Sequence, residues 1–193
     1  MNNTAEQDLQ AWTAQRQQSV FRKLMRAFSY PGRIETLEGA NALTQALATL
    51  VDSEVTLADP NNLIDALTRQ RLQTRMAATE RAHFIVADGG VPPVFEPSLG
   101  TLESPEQGAT ILLQVTALGE GSAWQLVGPG IAASQSLAIA GLDPAWIERR
   151  RCWNEGFPLG VDLILIDRSR VVALSRTTSA TRITAQGEQS WAM

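Results

Sequence analysis

Apolar positions along the chain switch between a helical period and short continuous runs. Val20, Phe21, Leu24, Met25 and Phe28 share one helical phase with Leu9 and Trp12, and Thr4-Ala5-Glu6-Gln7 has capping-box form. The spacing predicts a helix that restarts at Ser19, after polar Gln15, Arg16, Gln17 and Gln18, and stops before the turn dipeptide Pro31-Gly32. Residues 33–37 alternate as a strand. Asn41 caps an Ala/Leu-rich helix reaching Leu50, and 54–58 is a short strand. Asp59-Pro60 opens a helix carrying Leu63, Ile64 and Leu67, and 83–87 is a further strand.

A long Pro/Gly-rich loop, 88–108, follows; loops of this length inside a compact domain are usually functional or interfacial. Residues 109–118 and 123–127 are predicted to pair through Gly119-Glu120-Gly121, and Gly128-Pro129-Gly130 bends the second strand's end. Asp143-Pro144 opens a helix carrying Trp146, Ile147 and Arg149 to Arg151. Residues 161–166 and 171–174 are strands about a turn at 167–170, the first reading as buried on both faces. From about 185 the chain is polar and expected to fray. The alternation of helix and strand predicts one layered α/β domain over 1–193, and the two hairpins make its sheet mixed.

Composition narrows this only a little. The 193 residues are 44% hydrophobic and 19% charged, as in a soluble globule whose core needs no metal or disulfide. A net charge of −4 and a pI near 5.1 argue against nucleic acid or an anionic membrane as partner. No apolar stretch approaches the about 20 residues that span a bilayer, and the N-terminus lacks a signal-peptide pattern. Cys152 is alone, which rules out an internal disulfide and fits the cytoplasm. Of sixteen cationic residues only Lys23 is a lysine. Arginine's planar fork suits phosphate and carboxylate oxygens, but a genomic base bias gives the same excess.

Residue types that occur once bound the chemistry. A pyridoxal phosphate Schiff base would have to use Lys23, on the first helix, where a solvated lysine is the simpler reading. A nucleophilic triad would have to use His83, which reads as a structural histidine at a strand end. Cys152, beside Trp153, reads as a buried apolar thiol. One His and one Cys make no typical structural zinc site, and a lone cysteine holds no iron–sulfur cluster. No cofactor or metal is expected. The Gly128-Pro129-Gly130 stretch lacks the third glycine of a dinucleotide fingerprint, Ala133 standing there.

What remains is anion-capable. Asp162 opens one strand of the last hairpin, and Arg176, with Thr177 and Thr178, follows the other; antiparallel pairing brings them to one end of the sheet. Two readings stay open. The pair neutralises itself, or Arg176 grips a phosphate or phosphonate oxygen with Asp162 orienting it. Ser29, Tyr30, Pro31 and Gly32 form a second candidate wall, equally readable as a helix stop. Five tryptophans (Trp12, Trp124, Trp146, Trp153, Trp191), with Trp146 and Trp153 flanking the arginine run, suggest an interface or an ordinary core.

Five stretches carry a resemblance: Phe21 to Gly32, Gly108 to Val115, Gly128 to Ile131, Phe157 to Ile166 and Ser175 to Thr178. Together they resemble the H subunit family of the bacterial carbon–phosphorus lyase core complex. The resemblance implies a three-layer α/β/α sandwich with a mixed sheet, similar to the large domain of pyridoxal phosphate-dependent transferases, without shared chemistry. It implies a homodimer with a polar cluster at its interface, and assembly with the G, I and J subunits. It also implies a supporting part in moving a triphosphoribosyl group from ATP onto methylphosphonate, in which the G, I and L proteins act too. Phe157, Pro158 and Gly160, in the turn before Asp162, join the candidate ligand or interface residues. The rival is a stand-alone phosphate-ester transferase or hydrolase with Asp162 as base and Arg176 as anion clamp.

Overall fold

A computed structural model describes residues 10–39 and 41–183. Strands β1 (Glu35–Thr36), β2 (Thr56–Ala58), β3 (Arg75–Met76), β4 (Phe84–Asp88), β5 (Thr110–Gln114), β8 (Asp162–Ile166) and β9 (Arg170–Leu174) form one sheet in the order β1-β9-β8-β5-β4-β2-β3. From β3 to β8 neighbours are parallel; β9 and β1 add antiparallel strands at one end. A second sheet holds β7 (Gln135–Ala140), β6 (Ala117–Val127) and β10 (Ser179–Arg182), with β6 in the middle.

The apolar strand runs face two layers. Val86, Leu112, Ile164 and Ile166 pack on the side of α1 (Ala14–Ser29), α2 (Ala42–Leu50) and α3 (Ala66–Leu72), against Val20, Leu24, Leu47 and Leu72. Their neighbours Ile85, Ile111, Leu113, Leu163 and Leu165 pack the opposite way. They meet Trp146, Ile147 and Trp153 of α4 (Ala145–Trp153) and Leu118, Trp124, Leu126, Leu137 and Ile139 of the small sheet. Alternate residues of one strand are buried on opposite faces, as a largely parallel sheet requires. The α/β class and mixed sheet are as expected, but the layering differs: helices cover one face, whereas α4 and a three-stranded sheet share the other, so the third layer is largely β rather than helical.

Local chemistry sets the boundaries. Thr13 caps α1, its hydroxyl accepting from Arg16 N, and the helix runs unbroken through Gln15, Gln17 and Gln18, so no restart occurs at Ser19. Gln15 and Gln18 are exposed, Gln17 is half-buried and donates to Ala48 O of α2, and the apolar stripe buries Val20, Leu24 and Ala27. Asn41 caps α2 through Thr44 N at 3.0 Å, as expected. Asp59 does not open a helix: its carboxylate accepts from Leu63 and Ile64 N in a loop containing Asn62 at φ +54°, and Asp65 caps α3 instead. The predicted β5–β6 hairpin is also replaced. β6 leaves for the second sheet and continues through Gly119 and Gly121, whose positive φ builds a bulge against β7. Thr4 to Gln7, Leu9, the tail from 185 and Trp191, for which the sequence also raised expectations, lie outside the described residues. Among the described residues no helix is long and apolar enough to cross a membrane.

Candidate functional site

Asp162 and Arg176 meet directly at the edge where the parallel strands begin. Asp162 Oδ1 accepts from Arg176 N at 2.6 Å and Oδ2 from Nη2 at 3.0 Å. Arg176 Nη1 donates to the carbonyls of Pro105 (2.8 Å) and Pro158 (2.9 Å). The side chains of Asp162 and Arg176 are 21% and 15% exposed. The guanidinium therefore fastens the 157–160 turn to the end of the long loop. Phe157, beside it, is 67% exposed.

Behind this pair stands Arg150, 3% exposed. It donates to the carbonyls of Thr178 (2.7 Å), Leu174 (3.3 Å) and Ser175, clamping the turn that presents Arg176, Thr177 and Thr178. Burial lowers its pKa to about 10, and the charge of Asp162 opposes that shift. Ser175 Oγ contacts the hydroxyls of Thr177 and Thr178 at 3.1 and 3.0 Å. Asn154, at the end of α4, accepts from Val161 N and donates to the carbonyls of Val161 and Arg176. Sequence reasoning missed Arg150 and Asn154. The signal for Arg150 was its spacing: Trp146, Arg150 and Trp153 occupy one helix face.

Glycines close the gaps between these parts. A β-carbon on Gly108 would meet Gly160 O at 2.3 Å and Arg176 Nη1 at 3.3 Å. One on Gly128 would meet Thr177 O at 2.8 Å; one on Gly130 would meet Ser29 O at 2.4 Å and Pro31 at 3.0 Å. All five resemblance stretches thus converge on one seam, from the 157–160 turn through Thr177 and Thr178 to Ser29 and Pro31. Beside its far end Tyr30, Pro31, Gly32 and Arg33 line a cleft of about 780 Å³ with Gly130 and the start of β7. Tyr30 and Phe157 lie at different parts of the seam rather than in one pocket.

The other single-copy groups lie elsewhere. His83 Nδ1 contacts Thr56 N and Oγ1, tying β4 to β2. Lys23 Nζ donates to Thr36 O at 2.7 Å. Cys152 is exposed, not buried, because its helix face looks away from the Trp146 and Trp153 that pack the core. Those two tryptophans are core residues; Phe95 joins their cluster, and their N–H groups bond Val91 O and Glu96, pinning the long loop to α4. At the opposite sheet edge, where α/β folds usually bind ligands, Asp59 is paired with Arg69 and Asp167 with Arg170. Among the described residues no group of His, Cys, Asp and Glu could hold a metal.

A family described as "Bacterial phosphonate metabolism protein (PhnH)" matches residues 9–181. The chain belongs to the PhnH family. Two relatives span nearly its whole length. A putative C-P lyase subunit protein, HtxG, of Stutzerimonas stutzeri is 49% identical over 90% of both chains. A PhnH named as a subunit of alpha-D-ribose 1-methylphosphonate 5-triphosphate synthase, from Rhizobium meliloti, is 32% identical over 86% of this chain and 90% of its own. Membership in PhnH places the chain in phosphonate metabolism as a subunit of the C-P lyase complex.

Proposed function

We propose that the chain supports transfer of the triphosphoribosyl group of ATP to an alkylphosphonate as a structural or co-catalytic subunit, without catalysing that step alone. The observation that carries this reading is the engagement of Arg176. Both terminal nitrogens of its guanidinium are held by Asp162, Pro105 and Pro158 of the same chain, and Asp162 returns both its oxygens to Arg176. The strongest anion clamp and base read from the sequence hold the seam together. That weakens the stand-alone transferase or hydrolase, which needs both groups facing a substrate. The name of the Rhizobium relative supports the reaction assigned to the complex.

In this reading the chain is a cytoplasmic homodimer that meets the G, I and J subunits. A phosphonate or phosphate group rests in the cleft by Ser29, Tyr30, Pro31 and Gly32 without being transformed by this chain. The layered likeness to the large domain of pyridoxal phosphate transferases belongs to the same reading, as fold without chemistry. The test is adenine release from ATP with methylphosphonate, using the purified chain, the full subunit set, and the set lacking this chain. Release is expected from the full set, with none from the chain alone and less from the incomplete set. Turnover by the chain alone would overturn the proposal.

A further inference from the structure

The small sheet ends in an open edge. Among the described residues β10 pairs only with β6. Ile183 N donates to Ala123 O at 2.9 Å, and alternate residues of an antiparallel ladder share that orientation. Thr181 therefore turns its backbone N–H and C=O to Gln125, its register partner, while Ala180 and Arg182 turn theirs away from the sheet. Beside β10 a cleft of about 680 Å³ separates it from α4, lined by Ile147, Glu148 and Arg151 on the helix and by Trp124 of β6. The indole N–H of Trp124 is buried without an acceptor among the described residues.

The cleft is locally basic in a chain of net charge −4. Arg149 is neutralised by Glu96; of the other charges lining the cleft, Arg151 and Arg182 outnumber the exposed Glu148, and none of these three forms an ion pair among the described residues; Arg182 donates to Ser122 Oγ at 3.3 Å. A free strand edge is a template for another strand unless proline, a bulge or a cover blocks it. Ser179-Ala180-Thr181-Arg182 contains no proline, and its register with β6 is unbroken. The arginines disfavour self-pairing and favour an oppositely charged strand.

Building on the subunit reading above, we propose that the β10 edge receives an extended acidic segment of another subunit. The segment adds as a fourth strand and directs Asp or Glu side chains at Arg151 and Arg182, in the strand-addition mode of recognition. The experiment co-expresses the full chain with the other core subunits and measures what co-purifies. Ala180→Pro removes one N–H that points to the open edge and leaves the β6 ladder intact. Arg151→Glu with Arg182→Glu reverses the charge. Both variants are expected to melt within about 3 °C of the parent and to lose most of the associated subunits. The amides of Ala180 and Arg182 should exchange fast in the isolated chain and slowly in the complex. Association of both variants at parental level overturns the proposal, as does slow exchange in the isolated chain, or loss of self-association alone. If Ala180→Pro does not fold, the charge reversal decides. A parental chain that joins no subunit overturns the subunit reading itself, and that result is seen before any substitution is made.

Discussion

A β-carbon on Gly108 would stand 2.3 Å from the carbonyl oxygen of Gly160. The φ of Gly108 is −63°, open to any residue, so it is space rather than backbone freedom that requires glycine there. Gly108→Ala forces the 157–160 turn and the β5 entry apart and should destabilise by roughly 1–3 kcal/mol, the usual cost of overpacking. Gly156→Ala is the control, since nothing lies within 4 Å of its β-carbon, and it should stay within about 0.5 kcal/mol of the parent. Denaturant melts of the two variants measure the difference.

The Asp162–Arg176 pair should respond unequally to its two deletions. Asp162→Ala leaves Arg176 without its carboxylate and Arg150 without the negative charge that opposes the lowering of its pKa, so a loss of roughly 3–5 kcal/mol is expected. Arg176→Met leaves Asp162 facing the buried Arg150 charge, and should cost less. Asp162→Asn retains an acceptor for Arg176 N and should fall between. Thermal melts giving the reverse order would refute this account of the seam.

Arg150 reaches three carbonyls of the turn after β9 with one guanidinium. Arg150→Met removes these donors and should destabilise by at least ~2 kcal/mol, because buried acceptors lose their partners. Arg150→Lys, whose ammonium lacks the planar fork, should recover only part of that. Amide exchange in the 175–178 turn should quicken in both variants, and unchanged exchange would show the turn holds itself.

Asp167 gives the fold an acid dependence. Burial alone would raise its pKa. Hydrogen bonds from Ser169 N, Leu118 N, the Arg170 side chain and Arg170 N outweigh burial and bring it below the ordinary 3.8. The unfolded chain therefore takes up this proton at higher pH than the folded one. The stability it contributes is complete above the unfolded value and is lost as pH falls through the folded one. Asp167→Asn should lower the Tm at neutral pH and flatten its decline below about pH 4. Parallel Tm–pH curves for parent and variant would sink the idea.

The large sheet was mostly legible in the sequence and the small one was not. β4, β8 and β9 contain short aliphatic runs (85–87, 163–166 and 171–174) buried on both faces, and their brevity between turn residues marks them as strands rather than helices. Asn41 marked α2 because its capping interaction is local. β10 is four mostly exposed residues with no apolar alternation, so only its ladder to β6 defines it. Gly119 and Gly121 read as a turn because positive φ serves a turn and a bulge alike. The contact between Asp162 and Arg176 followed from hairpin geometry. The carbonyls that occupy Arg176 come from Pro105 and Pro158, and no local pattern could have disclosed them.

The pairing of β1 with β9 bears on how the chain is made. Glu35 lies opposite Val171, so among the described residues β1 pairs only with β9, a strand translated long after it. Until then α1, which packs chiefly on α2 and β9, has only part of its apolar stripe covered. A transcript or proteolytic product ending before β9 would expose that stripe and the flank of β8 together. Partly synthesised chains of this kind are natural clients for chaperones. Stop codons placed between β8 and β9 should therefore yield insoluble or degraded fragments rather than a shortened working subunit.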